Sequence, residues 1–439
     1  MFGIKNAVIL VPAMILLIVS GSTDSFAQIK IGEGLYLDGY MRYRMEADSR
    51  DFDSGTDVDT YSTLRTRLGL RAENVIDNTV FYIMIGDSRT MGYSDPYLAG
   101  HNIGPNKFDQ NLGVVLAYLE VSEFLHESLT LKIGRIENNI GRMRIFGPGN
   151  WNVNGPRTYD GFSLLYDNNE YSFRFFNLWG YGGDRHWEES SLNEDHYLTG
   201  LDTRFLEEKL QLLFLWDHDD KPVLNQNNGS YNDLLSRYML AGYYGWTQNN
   251  KDDNYWKFDL DMAYQFGDQA YYMGKKDISA YLATWDLSYR SVSGRKPWFG
   301  IGMDITSGDD GSDPGKIKYF TAEYFSKHGL QGHMDYFTSV SSKSLGLRSI
   351  ILRGGFEPVE NCILQVDLHR FTFAENYISL KDGSITNNVG KEIDISSDYL
   401  MRDGLSVRFG FDMFFPSDHW KGSDSDPGMF SYISLKAEF

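Results

Sequence analysis

The feature that most constrains this chain is a two-residue alternation of apolar and polar side chains, recurring from near its beginning to its last residue. Leu35, Leu37, Met41, Tyr43 and Met45 fall on one face, with Asp38, Arg42, Arg44 and Glu46 on the other. Leu64, Leu68, Leu70 and Ala72 alternate with Arg65, Arg67, Arg71 and Glu73. The same period runs through Trp256 to Phe266, Leu405 to Met413 and Met429 to the terminal Phe439. Successive side chains of a strand point to opposite faces, so each stretch reads as a strand with one apolar and one polar side. Eighteen such strands are expected, with sixteen as the alternative count. They lie near 35–47, 61–74, 78–89, 112–122, 128–137, 159–167, 170–181, 194–206, 208–217, 235–246, 254–267, 276–290, 297–306, 344–354, 361–373, 390–400, 402–415 and 428–439.

A soluble β-sandwich also shows period two, so the connections decide the matter. Short ones (Asn74–Asp77, Asp167–Asn169, Glu207, Pro358–Glu360, Met401) alternate with long ones (Asp48–Thr60, Thr90–Asn111, Asn138–Thr158, Gly182–Asn193, Asp217–Leu234, Ser307–Lys343). Short periplasmic turns and long extracellular loops are the pattern of an outer-membrane barrel, and an even strand count leaves both termini in the periplasm. The 29 Tyr, 28 Phe and 9 Trp supply interfacial girdles, and the 44 Gly relieve crowding in curved strands. A single cysteine, Cys362, excludes an intramolecular disulfide framework.

The N-terminus fits export. Lys5, an apolar run from Ala7 to Val19 and the small-x-small site Ser25-Phe26-Ala27 read as a signal peptide over residues 1–27. Residues 28–439 are then one all-β barrel domain, an integral protein of the bacterial outer membrane. The first strand follows too soon for a plug domain. The net charge of −19 argues against nucleic-acid partners.

Strand number sets bore, and about sixteen to eighteen strands leave an aqueous channel. The alternation turns many arginines inward: Arg42, Arg44, Arg65, Arg67, Arg71, Arg174, Arg204, Arg290, Arg348 and Arg408, with Arg142, Arg144 and Arg157 in a loop. Guanidinium groups offer a planar fork to carboxylates and stay charged, so they favour an anionic solute. Inward acids (Asp38, Glu46, Glu73, Asp202, Asp259, Asp261, Asp412) give the competing reading, in which arginines and carboxylates pair along the wall. The first two strands are the best candidate for solute contact, because their arginines face few local acids.

Several motifs together resemble the alginate-export family of outer-membrane proteins. They are Arg42-Tyr43-Arg44, Arg65-Thr66-Arg67-Leu68-Gly69-Leu70, Asp87-Ser88-Arg89, and Lys132-Ile133-Gly134-Arg135 leading to Arg142, Trp151, Arg157 and Asp160-Gly161. The stretch Phe325 to Phe337, then Gln365 to Phe371 and Gly390 to Asp394, continue the series. The resemblance implies an eighteen-stranded barrel with an electropositive pore that passes an anionic uronic-acid polysaccharide outward without energy input. It adds Arg89, Arg135 and Arg157 to the pore candidates and leaves room for periplasmic export partners. The expected partners are otherwise outer-membrane lipid and an anionic saccharide or small anionic solute, and the barrel is expected to be a monomer.

Other chemistry is poorly supported. The nine histidines are scattered, with His186, His196, His328, His333 and His369 in loops or near strand ends, and no Gly-x-Ser-x-Gly elbow is present. No catalytic residue is assigned. Asp48, Asp51, Asp53, Asp57 and Asp59, and Asp309, Asp310 and Asp313, lack calcium-loop spacing and read as solvated acidic loops, so no metal and no cofactor is expected. A general diffusion porin, a surface receptor and an outer-membrane enzyme stay as alternatives.

Overall fold

A computed structural model describes residues 28–439 apart from 54, 92–109, 141, 148–150, 152–156, 169, 183–195, 207–208, 221–222, 225–229, 232–233, 250–253, 322–327, 329–330, 338–343 and 423–424. The signal peptide expected over 1–27 and His186 lie outside the described residues.

Eighteen antiparallel strands close into one barrel. They are β1 (Leu35–Ser49), β2 (Asp59–Glu73), β3 (Thr79–Met91), β4 (Gln110–Val121), β5 (Leu129–Ile136), β6 (Thr158–Asp167), β7 (Tyr171–Gly182), β8 (His196–Phe205) and β9 (Leu210–Asp219). The second half is β10 (Leu235–Asn249), β11 (Tyr255–Tyr271), β12 (Gly274–Arg290), β13 (Trp298–Thr306), β14 (Leu347–Phe356), β15 (Cys362–Ile378), β16 (Ile385–Arg402), β17 (Leu405–Pro416) and β18 (Gly428–Glu438). Each strand pairs with its sequence neighbours. The seam closes where β18 pairs with β1, from Tyr40 opposite Glu438 to Ser49 opposite Met429. Closure leaves no sheet edge inside the bilayer, which is what a membrane-spanning sheet requires.

The alternation sorts the side chains as the pattern demands. On β1, Met41 and Met45 are exposed outward while Arg42, Arg44 and Glu46 are buried inside. On β11, Met262 and Tyr264 face out and Asp259, Asp261, Ala263 and Gln265 face in. Among the described residues no helix is long and apolar enough to cross a membrane.

The alternation of connection lengths is imperfect. Strands β11 and β12 run 17 residues each and meet at the long-loop end through Tyr272 and Met273 alone. Strand β15 runs to Ile378 and β16 starts at Ile385, well beyond the expected limits of 373 and 390. Pairing continues above the membrane there, where polar residues on both faces hide it from an apolar count.

Candidate lumen site

Cross-strand partners in an antiparallel pair share a face, so register fixes which arginines reach the lumen. Arg42 stands directly opposite Arg65, and Arg67 opposite Tyr40. Arg44 lies two residues from Arg42 on the same face. These four guanidinium groups therefore form one patch on the inner wall of β1 and β2, as the alternation of these strands indicated. Arg65 is 2% exposed. The Tyr40 ring lies 5.7 Å from the Arg65 guanidinium and 5.4 Å from that of Arg67, within cation–π range. Glu46 forms an ion pair with the patch, holding Arg44 at 2.6 Å. Glu137, just past β5, feels the charge of Arg67; burial lifts its carboxyl above the usual range, and Arg67 offsets this only in part.

Elsewhere the arginines are tied to the wall. Arg71 binds Glu73 at 2.6 Å, Arg174 binds Asp202 at 2.9 Å, and Arg204 and Arg408 approach Asp202 and Asp398 at 3.6 Å. Arg290 faces inward and lies over the Trp298 ring at 4.5 Å. Arg157 donates to the Gly147 carbonyl within its own loop.

Three expected pore arginines are on the outer face instead. Arg89 pairs in register with outward Leu64 and binds Asp87, two residues away on the same face, at 2.9 Å. Arg135 follows outward Ile133 and forks onto Asp160 at 2.7 and 2.8 Å. Arg348 shares its face with exposed Ile350 and Leu352, whereas Ser349, Ile351 and Arg353 point inward. The adjacent apolar pair Ile350-Ile351 makes the parity of β14 ambiguous in sequence. Its inward arginine is Arg353, 3.1 Å from Asp286. All three outward arginines sit at the long-loop end of their strands, where long side chains reach the polar interface.

The lumen also holds apolar mass that an inward-polar rule misses. After β5, residues 137–140 and 142–147 fold into the barrel. Ile140, Ile145 and Phe146 of this segment pack with Phe176, Leu178, Leu198, Leu213, Leu215, Met239 and Leu282 from the inner wall of β7 to β12. Its arginines then reach the far side of the bore. Arg142 binds Asp261 at 2.5 Å and Asp259 at 3.4 Å on β11, and Arg144 binds Asp304 on β13. Strands β11 and β13 lie six and eight places from β5 around eighteen, so the segment spans the lumen. Trp151, further along, accepts from Arg42 at 3.0 Å and Arg44 at 3.2 Å through its backbone carbonyl.

A second inward segment, around residues 331–337, covers β15 to β18. Met334 and Phe337 pack with Phe371, Phe373, Phe414, Phe430 and Tyr432. Gly332 has φ +84°, and a Cβ there would lie 2.2 Å from the Glu392 carboxylate, so only glycine allows this approach. The two segments meet in a stack. The Arg44 guanidinium lies 3.9 Å from the Trp151 ring, Trp151 is parallel to His328 at 3.6 Å, and His328 to His333 at 4.9 Å. Burial drives the His328 imidazole down to about 4, against the pull of Asp335. Burial also opposes charge on His333, but its hydrogen bond to Asp412 and the charge of Asp394 outweigh this and lift it to about 9.

The sequence motif described as alginate export matches residues 35–426. No curated protein matches the chain significantly. Among solved structures, Pseudomonas aeruginosa OpdK with vanillate superposes with a TM-score of 0.61 at 13% identity, covering 92% of this chain and 98% of that one. The BenF-like porin from Pseudomonas fluorescens Pf-5 gives 0.58 at 11%, covering 93% and 99%. Pseudomonas aeruginosa OccK8 (OprE) gives 0.57 at 14%, covering 93% and 98%. At such identities the likeness is one of fold: a porin-type barrel integral to the outer membrane.

Proposed function

Since the chain belongs to the alginate-export family, we propose that its barrel carries anionic solutes, uronic-acid oligo- or polysaccharides above all, by diffusion down their gradient through an arginine-bearing lumen. The observation that supports this reading is the patch of Arg42, Arg44, Arg65 and Arg67 on the inner wall beside the crossing segment. Four guanidinium groups gathered on one stretch of inner wall attract a passing carboxylate. The wall pairs elsewhere supply stiffness instead. Several weak sites in series suit conduction better than one tight site.

A second reading is favoured by the crossing segment itself. A lumen narrowed by residues 137–147 suits small carboxylates better than a polymer, and a structural neighbour was solved with vanillate. Single-channel recording of the refolded barrel in a planar bilayer separates the two. The polysaccharide reading predicts anion preference and a current block by oligouronates that deepens with chain length. Block by monomeric carboxylates with no dependence on oligomer length supports the small-solute reading. Cation preference without block would sink both.

A further inference from the structure

Three aspartates lie side by side on the inner wall. Asp367 on β15 stands directly opposite Asp394 on β16, and Asp394 directly opposite Asp412 on β17. Their exposures are 3%, 2% and 0%. Like charges directly opposite across strands destabilise a sheet, and burial compounds the cost unless a counter-charge is present. Among the described residues, no lysine or arginine forms an ion pair with Asp394, Asp412 or the adjacent Glu392, which is 1% exposed. Histidine answers them instead. His333 approaches from the second inward segment, with Nδ1 3.1 Å from Asp412 Oδ1, and His369 Nε2 lies 3.4 Å from Asp394 Oδ2.

We propose that His333, Asp394 and Asp412 bind a divalent transition-metal ion, zinc in the first instance, which fastens the second inward segment to the barrel wall. One ligand atom from each lies within 4.8 Å of the other two. The spacing of His333 Nδ1 and Asp412 Oδ1 is close to the roughly 3.3 Å between ligands of a tetrahedral ion with bonds of about 2 Å. A second, independent sign is that Oδ1 of Asp394, Oδ2 of Asp412 and Nε2 of His369 are buried with no hydrogen-bond partner. Buried polar atoms of a folded protein are normally satisfied, and a cation satisfies these carboxylate oxygens together. A donor set mixing imidazole with carboxylates suits zinc and its neighbours, whereas calcium takes six to eight oxygens. A proton on His333 is the rival counter-charge, but one proton balances only one of the carboxylates gathered here. Two ligands come from adjacent strands and the third from the segment over them, so metal binding couples directly to the position of that segment.

The test uses the full barrel, stripped with chelator and dialysed against zinc. Elemental analysis and calorimetric titration with zinc chloride should give one equivalent per chain. His333→Gln, which leaves the barrel wall intact, should weaken binding by at least about tenfold. Asp412→Asn should do the same where it folds. Chelation should raise the single-channel conductance of the wild type and zinc should restore it, with neither effect in His333→Gln. Exposed His126, at a short turn, is the control, and His126→Gln should bind as the wild type does. No stoichiometric zinc in the wild type, or wild-type affinity in His333→Gln, would overturn the proposal and leave a proton as the counter-charge. Metal content is read independently of transport, so this outcome does not depend on which solute the barrel carries.

Discussion

Arg142→Met should release the segment that crosses the lumen. Arg142 is the hub of three buried groups: Asp261, whose side chain is 1% exposed, Asp259 at 5%, and the Thr284 hydroxyl at 3.3 Å. At 3.4 Å and an effective dielectric of about 20, the attraction between Arg142 and Asp259 alone is about 5 kcal/mol, most of it cancelled by desolvation of both ions. The cost of removing one partner is a different quantity, because it leaves the Asp261 carboxylate buried without its counter-charge, while Asp259 keeps Lys257 at 3.1 Å and the Tyr243 hydroxyl at 2.8 Å; breaking a buried pair costs about 3–5 kcal/mol. Arg142 is 21% exposed, which places the estimate at the lower end, about 3 kcal/mol. That corresponds to a shift of about a hundredfold in the balance between docked and released segment. The Arg144–Asp304 pair and the burial of Phe146 still hold, so the expected phenotype is intermittent opening rather than permanent loss. Single-channel recording should show brief excursions to a larger conductance that the wild type rarely makes. In the double variant Arg142→Met, Asp261→Asn, thermal stability should return toward wild type because the buried orphan carboxylate is gone, while the excursions persist. If Arg142→Met shows wild-type conductance and noise, the crossing segment is not held by this pair and the reasoning fails.

Replacing Arg65 and Arg67 together with glutamine should shift the reversal potential under a salt gradient toward cations; an unchanged value would remove the patch from the conduction path. The outward triple variant Arg89→Gln, Arg135→Gln, Arg348→Gln should leave that potential where it is, and a shift would contradict the assigned faces. Burial raises the Glu137 carboxyl above its ordinary value, so its charge is lost on acidification before ordinary carboxylates titrate. Anion selectivity should therefore rise as pH falls toward the ordinary carboxylate range, and Glu137→Gln should lose that pH dependence. Phe146→Ala removes a ring that is 0% exposed and should cost about 3–5 kcal/mol, seen as a lower unfolding temperature of the refolded barrel.

The strands were legible because a single rule generates them. Lipid on one side and polar lumen on the other force period two, and β1, β2 and β11 obey it throughout. The rule loses force where the inner surface is not wet. Leu213, Leu215 and Leu282 face inward because Ile140 and Phe146 cover them, and nothing local in β9 or β12 announces that cover. The patch of Arg42, Arg44, Arg65 and Arg67 was legible for the same reason as its strands. The roles of Arg142 and Arg144 were not, since their partners lie 119 and 160 residues away. Asp412 reads in the alternation as an ordinary inward acid, and only register places Asp394 beside it.

The span of the crossing segment also orders events in time. Its anchors on β11 and β13 follow it in the chain by more than a hundred residues, and the seam between β1 and β18 joins positions 380 residues apart. Contacts so distant in sequence form late, because the loop they close must first lose its freedom. By that measure the crossing segment reaches β11 and β13 before the seam between β1 and β18 closes, so the obstruction is part of what the last strand closes around rather than something added to a finished tube.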